Sequence, residues 1–421
     1  MAGPLDDLLV LDLTRALAGP IAGRLLSDLG AEVIKVEPPD GDLTRATRPR
    51  QDSMAVYFVQ ANVGKRCVSI DLTTDAGRDL FLGMVEKADI VLENYRPGVM
   101  ARLGLAYEDL AAVNPRIILG SVSGYGHGNP WSHRGAFAAA VQAETGLTAD
   151  IARRRDTTPR NDPASQADVY GGFSALAAVL AAVHHRHRTG VGQAVEVDMA
   201  EATLVANDMT AVNLRPDQEV TDGFRSGSNW PPCYQLSTGR WVCVTADPAV
   251  EGGFRALTRA MHRVGGSDGT DAPDLRADPR FTTMTDRLAN ADDLHRLVAE
   301  FVAGFDSAAE LEQAIGVSTV LVADVRTAAE IHDTEWAGER GAFLDVEVRP
   351  GGDPVTVPQA PWRFSTSPSG ADPRVGFRGQ DNRAVLGEVF GIDEGELDRL
   401  EADEVISARL PDWFESIDPP G

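Results

Sequence analysis

Short apolar runs alternate with longer amphipathic stretches along the N-terminal part of the chain. Five runs rich in β-branched residues predict strands: 8–13 (LLVLDL), 32–37 (EVIKVE), 67–72 (CVSIDL), 89–93 (DIVLE) and 116–122 (RIILGSV). Three stretches between them predict helices: 17–31, 75–88 and 107–113. Strands that alternate with helices in this rhythm are typical of a parallel sheet with crossover helices. The pattern therefore predicts a Rossmann-like α/β fold.

Later in the chain the pattern changes. An apolar helix is expected over 173–183, and a strand entering a helix follows it in EVDMAEATLVANDMTAV. The stretch 215–232 is polar and rich in Gly and Pro, as linkers are. A hairpin over 235–244 and helices over 285–304 and 307–315 then predict a smaller α+β domain.

A second linker is expected at 349–358 (RPGGDPVTVP), followed by a strand at 361–366. The last residues are expected to return to the first domain. The domain boundaries that follow are a large α/β domain over 1–210, a small α+β domain over 225–348, and a C-terminal part of the large domain over 356–421.

Charge and composition narrow the possible partners. With 39 basic and 63 acidic residues the formal charge is −24, which disfavours binding to nucleic acid. The sequence contains no run of about 18 apolar residues, the length that a membrane-spanning helix needs. The N-terminus does not resemble a signal peptide. The three cysteines lack metal or disulfide spacing. We therefore expect a cytoplasmic protein that binds neither nucleic acid nor membranes.

Several nucleotide and metal motifs are absent from the sequence. No GxGxxG follows the first predicted strand, which disfavours a nicotinamide or flavin enzyme, and neither GxxxxGK[ST] nor HExxH occurs. The glycine-rich stretch 124–130 (GYGHGNP) is interpreted as a loop rather than a phosphate cradle. The histidines His184, His185 and His187 close an apolar helix, where solvation at the helix end is favoured over a metal site.

A single acid stands before the apolar helix of residues 165–193 (SQADVYGGFSALAAVLAAVHHRHRTGVGQ). Ser165 and Asp168 have the spacing of an N-terminal capping box, and acids near a helix start are stabilised by the helix dipole. The residues alone favour this capping interpretation.

Several stretches together resemble the family III CoA transferases. They are 12–45, NVGKRCVSIDL (62–72), ENYRPGVMARLGL (93–105), NPRIILGSVSGYG (114–126), RTGVGQ (188–193), DPRF (278–281) and APWRFS (360–365). The matches are collinear and cover nearly the whole chain. The resemblance implies an enzyme that moves CoA from an acyl-CoA donor to a free carboxylic acid.

Within this family an aspartate, here Asp168, attacks the thioester and becomes an aspartyl-CoA thioester. The resemblance also implies an interlocked homodimer, no metal and no permanently bound cofactor, with CoA and acyl-CoA as substrates. Two alternatives remain: a 2-methylacyl-CoA racemase, and a non-catalytic CoA-binding protein. The racemase needs a histidine in a segment that matches 134–146 here, where none occurs, although His127 and His133 lie nearby.

The resemblance also assigns site residues. Gln142 is expected beside the nucleophile as a second catalytic residue. Contacts to CoA are assigned to Ala16, Leu17, Ile70, Asp71, Leu72, Thr73, Asn94, Tyr95 and Arg102. Lys65 and Arg66 are weaker candidates for the CoA phosphates.

Other residues have two possible roles. Gly171 and Gly172 either admit a bulky thioester or allow two helices to pack closely. Gly227 is the nearest match to a glycine loop that seals the site in relatives. Arg225 and Arg240 either bind a second substrate carboxylate or contribute surface charge.

Overall fold

The computed structural model describes residues 3–155, 157–214, 233–265, 274–317 and 320–408. The chain divides into two compact units. The large unit comprises Met1–Leu147, Asn161–Asp208 and Thr334–Gly421, and the small unit comprises Thr148–Arg160 and Met209–Asp333. Both units are thus formed from separate stretches of the chain.

A six-stranded parallel sheet forms the centre of the large unit. Its strands are β1 (Leu9–Asp12), β2 (Glu32–Glu37), β3 (Arg66–Ser69), β4 (Ile90–Glu93), β5 (Ile118–Ser123) and β6 (Ala194–Asp198). They are arranged in the order β3-β2-β1-β4-β5-β6. This is the strand order of the doubly wound dinucleotide-binding fold, although the glycine fingerprint of that fold is missing. The predicted parallel α/β sheet is confirmed.

Helices cover both faces of this sheet. Three of them position the site: α1 (Ala18–Asp28), α2 (Ala138–Glu144) and α3 (Gln166–Thr189). The other helical segments of the large unit are Leu43–Ala46 (3-10), Val56–Asn62, Asp75–Val85, Val99–Arg102, Tyr107–Val113, Met199–Ala206, Glu335–Arg340, Asn382–Ala384, Val385–Val389 (π) and Glu394–Ala402.

Successive strand residues face opposite sides of the sheet, as the strand pleat requires. Val10 packs in a cluster with residues of α1 and α3, such as Leu26 and Val179. Its neighbour Leu11 packs in a second cluster with Phe81 and with residues near the C-terminus. Because both faces are buried, the central strands β1 (LVLD) and β4 (IVLE) are nearly continuous apolar runs.

The stretch expected to be a linker at 349–358 contains a strand. Val355–Pro358 pairs antiparallel with Phe343–Val346. Val355 and Val357 are buried with Phe58, while Thr356 between them is exposed. The Gly-Gly-Asp sequence at 351–353 is therefore a turn between two strands, and the large unit resumes at Thr334, earlier than expected. Residues 361–366, expected to be a strand, are irregular.

The small unit contains a three-stranded antiparallel sheet. Its strands are Cys233–Gln235, Trp241–Val244 and Val322–Asp324, with Trp241–Val244 in the centre. The expected hairpin over 235–244 is present. The helical segments outside the large unit are Leu147–Arg154, Thr210–Asn213, Glu251–Gly265, Pro279–Phe281 (3-10), Met284–Ala289, Ala291–Val302, Ala308–Ile315 and Ala328–His332. The two-residue strands Arg50–Gln51 and Met54–Ala55 complete the large unit.

Helix α3 has the length and apolar composition of a membrane-spanning helix. Its apolar residues are also those of a core helix, because Ala175, Val179 and Ala182 pack with Ile118 and Val122 of β5. Length and composition alone do not distinguish a membrane-spanning helix from a core helix. The contacts with β5 are those of a core helix.

Candidate active site

A cavity of about 410 Å³ opens in the large unit at the carboxyl ends of β1, β4 and β5. The sheet reverses its strand order between β1 and β4, where open α/β sheets bind ligands. Of the residues assigned from the resemblance, Ala16, Asn94, Tyr95 and Asp168 line this cavity. The structure therefore brings the expected nucleophile and part of the expected CoA contacts to one place.

Asp168 lies in the first turn of α3, which begins at Gln166, earlier than the sequence pattern predicted. Its partly buried carboxylate accepts hydrogen bonds from the backbone N–H groups of Ala18 and Ala138. These residues are the first in α1 and α2. Burial raises the pKa of Asp168 to about 6, and the two N–H groups oppose that rise. The group is thus mostly ionised at neutral pH.

The capping-box interpretation of Ser165 and Asp168 is wrong. Ser165 is the N-cap of α3, yet its side chain makes no capping hydrogen bond. It forms a hydrogen bond with Tyr57 instead. Because Asp168 accepts from two other helices, its carboxylate does not fold back onto its own helix start.

The two glycines after Asp168 serve helix packing. A Cβ at Gly172 would lie 2.7 Å from the Ala18 carbonyl oxygen, and one at Gly171 would lie 3.1 Å from Met199. Both glycines are buried. Of the two roles that the sequence left open, the close approach of helices is the one observed. It brings the start of α1 to Asp168.

The turn between β1 and α1 has an unusual backbone conformation. Ala16 has a φ of 67°, in the left-handed region that residues with a Cβ rarely occupy. Asn94 holds the residue before it, since Asn94 Oδ1 accepts from the Arg15 N–H at 2.8 Å and Asn94 Nδ2 donates to the Arg15 carbonyl at 2.7 Å. Leu17 is the N-cap of α1. Strain of this kind persists only where surrounding contacts enforce it.

Three arginines also line the cavity: Arg15, Arg96 and Arg134. Arg134 lies over Trp131, 4.7 Å from the ring centroid, and forms an ion pair with Glu144. Guanidinium groups bind phosphates and carboxylates through paired donors. Arg15 and Arg96 bring positive charge to the cavity, whereas the charge of Arg134 is paired with Glu144. The sequence analysis did not assign them a role, although Arg15 and Arg96 lie within the stretches 12–45 and 93–105 that carry the resemblance.

Several residues assigned from the resemblance are not among the described residues that line the cavity. Gln142 is buried, and its Oε1 accepts from the N–H of Ala167, beside Asp168, at 3.4 Å. Ile70, Asp71, Leu72 and Thr73 follow β3 at the same sheet edge, with Ile70 and Leu72 in the core. Asp71 accepts from the Thr73 N–H and hydroxyl. Arg102 is exposed at the end of its short helix.

The prediction that Lys65 binds phosphate is wrong. Its ammonium group is fully buried and lies 2.7 Å from Asp12 Oδ2, 2.9 Å from Asn62 Oδ1 and 2.8 Å from the Pro20 carbonyl. A lysine with three such partners is structural. Arg66 forms ion pairs with Glu32 at 3.0 Å and Glu388 at 3.7 Å, so its charge is also engaged.

None of the described residues that line the Asp168 cavity is a histidine. His127 lines a second cavity of about 370 Å³, with Glu93 and Glu196, and His133 is exposed. Exposed His184, His185 and His187 lie near the C-terminal end of α3. Across the part of the chain that the structure describes, no three ligand-type side chains form a metal site. Arg240 pairs with Glu330, while Arg225 and Gly227 lie outside the described residues.

Comparison with known proteins identifies the class of protein that this fold and site define. The family model for CoA-transferase family III matches residues 5–381. The chain is 33% identical over 420 residues to a succinyl-CoA:mesaconate CoA-transferase of Haloarcula hispanica, covering 96% of this chain and 100% of that protein. It is also 33% identical to an acetyl-CoA:oxalate CoA-transferase of Acetobacter aceti, over 86% of this chain and 90% of that one.

A solved structure agrees with these sequence matches. The chain superposes on a CAIB/BAIF family protein from Brucella suis with a TM-score of 0.78 and 28% identity, covering 92% of this chain and all of that one. The protein is therefore an enzyme that transfers CoA between carboxylic acids. It belongs to CoA-transferase family III, which confirms the resemblance drawn from the sequence.

Proposed function

We propose that the enzyme moves CoA from an acyl-CoA donor to a free carboxylic acid through an aspartyl-CoA thioester on Asp168. The observation that supports this most is the setting of Asp168, a mostly ionised carboxylate in a cavity with two backbone N–H donors. Covalent catalysis by a carboxylate divides one difficult exchange into easier steps.

In the first half of the reaction, an Asp168 oxygen attacks the thioester carbonyl and the C–S bond breaks. This gives a mixed anhydride and free CoA thiolate. The thiolate then attacks the aspartyl carbonyl carbon, and the original acid leaves as its carboxylate. Asp168 now carries CoA as a thioester.

The acceptor acid reverses these steps. Its carboxylate attacks the aspartyl thioester, releasing CoA thiolate and forming a second mixed anhydride. The thiolate attacks the acyl carbon of the acceptor, and Asp168 leaves as a carboxylate. No net proton is taken up or released, so the reaction needs no separate general acid or base.

Attack on the aspartyl carbonyl places negative charge on an Asp168 oxygen. The N–H groups of Ala18 and Ala138 already donate to this carboxylate. Donors that are fixed before the reaction stabilise such charge without reorganising. The same pair thus favours the ionised nucleophile and the tetrahedral intermediate formed from it.

The alternative of a racemase lacks support from the geometry. Racemisation needs a second acid/base group opposite the first across the α-carbon. The described lining of the Asp168 cavity contains no histidine, and His127 lines the other cavity. A non-catalytic CoA-binding protein is equally unsupported, since Asp168 has the setting of a nucleophile.

For the acceptor we propose a short dicarboxylic acid. Mesaconate and oxalate in the names of two relatives are dicarboxylic acids. Arg15, Arg96 and Arg134 line the Asp168 cavity, and a guanidinium group can bind a second carboxylate. A panel of mono- and dicarboxylates of equal chain length, assayed with succinyl-CoA and acetyl-CoA, tests this choice.

The nucleophile itself is tested by trapping. After incubation with succinyl-CoA, borohydride reduction or hydroxylamine should modify the peptide that contains Asp168. The Asp162→Asn variant, which changes a neighbouring acid, should still be modified and active. Asp168→Ala should fold, lose transfer and give no adduct. Normal transfer by Asp168→Ala would refute the proposal.

We also propose an interlocked homodimer in the cytoplasm, on the resemblance to the family. Threaded chains cannot separate without unfolding. A tagged and an untagged dimer should therefore exchange no subunits under native conditions, and should mix after denaturation and refolding. Rapid native exchange would exclude threading.

A further inference from the structure

The turn that carries the start of α1 is held along its backbone. Three N–H groups donate to side chains: Thr14 to Asp12 Oδ1 at 2.9 Å, Arg15 to Asn94 Oδ1 at 2.8 Å, and Ala16 to Asp42 Oδ1 at 3.2 Å. The next helical N–H, that of Ala18, donates to Asp168. The direction of this last donor therefore depends on how the turn is held.

One of these supports is a buried ion pair that does not line the cavity. Lys35 Nζ lies 3.0 Å from Asp42 Oδ2, and neither side chain is exposed. Lys35 also donates to the Thr14 carbonyl at 2.8 Å, while Asp42 accepts from the Ala16 N–H. The pair thus forms hydrogen bonds with the backbone on both sides of Arg15, in the stretch where Ala16 has a positive φ.

From this arrangement we infer that Lys35 and Asp42 are positioning residues for the transfer reaction, which aim the Ala18 N–H at the Asp168 carboxylate. Neither residue touches the reacting atoms. Their effect passes through the backbone of Thr14–Ala16. The inference rests on the proposed role of Asp168 as the nucleophile.

Burial of this ion pair costs more free energy than burial of a neutral contact would. Its presence therefore needs a structural reason. Taking two charges out of water carries a penalty that their attraction often fails to recover. Burial lowers the pKa of Lys35, but Asp42, Asp12 and Glu37 together raise it above its usual value, so the pair stays ionised. A fixed charge pair holds a strained turn more firmly than two apolar side chains would.

The inference has a consequence that a purely structural role would not have. Losing the Ala18 donor removes one of the two hydrogen bonds that favour the ionised carboxylate, so the pKa of Asp168 should rise above about 6. The other ionisable groups around it are Tyr57, Arg15, Arg96 and Arg134. Arginine stays charged in proteins, and burial raises the pKa of Tyr57. Among these groups Asp168 alone titrates between pH 5 and 8.

The test is a titration of Asp168 in the full-length enzyme that needs no substrate. A water-soluble carbodiimide with glycine methyl ester amidates protonated carboxyl groups, and peptide mass spectrometry measures the extent at Asp168 from pH 5 to 8. The wild type should show a midpoint near its pKa of about 6. In Asp42→Ala the midpoint should rise by about one pH unit. Transfer from succinyl-CoA should then fall about fivefold at pH 6 and little at pH 8.

Asp28→Asn is the matched control. Asp28 is buried at the other end of α1, where its carboxylate lies 3.5 Å from Arg24 Nε. Burial raises the pKa of Asp28 to about 6 as well. This variant therefore also shows whether Asp28 contributes to the loss of activity below pH 7. We expect it to keep the wild-type midpoint at Asp168.

An unchanged midpoint in folded Asp42→Ala would overturn the inference, whatever its activity. If that variant does not fold, the double variant Lys35→Met/Asp42→Ala decides, because it leaves no unpaired buried charge and removes both hydrogen bonds to the turn. It should show the same rise in the midpoint. A rise without any transfer activity in the wild type would support the positioning and refute the proposed function, so the two can fail separately.

Discussion

A Cβ atom on Gly172 would stand 2.7 Å from the carbonyl oxygen of Ala18. Helices α3 and α1 therefore touch through their backbones immediately beside Asp168. This contact sets the distance between Asp168 and the Ala18 N–H group that supports it. Because it depends on the absence of one methyl group, it can be tested by adding that group.

We expect Gly172→Ala to destabilise the enzyme by about 1–3 kcal/mol, since added volume in a packed contact strains its surroundings. Ordinarily the same change in an exposed helix stabilises a protein by about 0.5–1 kcal/mol. Gly83→Ala is the control for this, because Gly83 is exposed in helix Asp75–Val85 and nothing lies within 4 Å of its added Cβ. Urea unfolding measures the free energy of unfolding of both variants. An equal increase in the two would contradict the contact between the helices.

Asp168→Asn should abolish transfer and yet stabilise the fold at high pH. In the folded enzyme the pKa of Asp168 is about 6, above the ordinary value near 3.8. A raised pKa means that stability is lost as the pH rises through this range. The variant should therefore match the wild type below about pH 4 and exceed it by up to about 3 kcal/mol above pH 7. Unfolding curves at pH 4.5 and 8 measure the difference, and a variant less stable at pH 8 would contradict it.

Arg102 was assigned to the CoA phosphates from the resemblance, and it is exposed at the end of helix Val99–Arg102. Loss of one charge-assisted hydrogen bond costs about 1.5 kcal/mol, or roughly tenfold in affinity. Arg102→Met should therefore raise the KM for acyl-CoA about tenfold and leave kcat nearly unchanged. Steady-state kinetics should show no such effect for Arg259→Met, which alters an exposed arginine of helix Glu251–Gly265. An unaltered KM in Arg102→Met would place the phosphates elsewhere.

Cys233 and Cys243 lie opposite each other on neighbouring antiparallel strands, and their side chains share a hydrogen bond. We expect a small-molecule disulfide to link them. One thiolate attacks the reagent and releases a thiol, and the second displaces the other thiol to close the bond. Burial and the neighbouring Cys233 raise the pKa of Cys243, so the reaction should be faster at higher pH.

Thiol titration after treatment with oxidised glutathione should fall from three groups to one. The remaining thiol should be that of Cys67, whose pKa burial raises to about 11. Peptide mapping identifies the linked pair. A stable glutathione adduct on Cys233 with Cys243 still free would show that the two sulfurs cannot meet.

The sequence predicts the sheet well because the strands are short, rich in β-branched residues and separated by helical stretches. The position of Asp168 in the cavity was also predictable, from the motif around it. The donors from Ala18 and Ala138 were not, because a backbone N–H has no side-chain signature and these two depend on how three helices pack. Only the general need for donors near an oxyanion pointed to them.

The errors have a common physical cause, which is contact between residues distant in sequence. Lys65 follows a glycine in a basic stretch, and its partner Asp12 cannot be inferred from its neighbours. Likewise, Gly351 and Gly352 resemble a linker until the valines on either side of them, such as Val346 and Val355, are seen to pair. Local composition describes a turn and a linker in the same way.

Asp168 and its two hydrogen-bonding partners, Ala18 and Ala138, come from three segments that meet only when the large unit is folded. A growing or partly unfolded chain carries this residue as an ordinary aspartate, with a pKa near 4 and no fixed donors. Such a chain has little means of consuming thioesters. On the proposed mechanism, chemical competence therefore arises with the tertiary fold, and a cell that makes this enzyme exposes its acyl-CoA pool to a reactive Asp168 only after folding is complete.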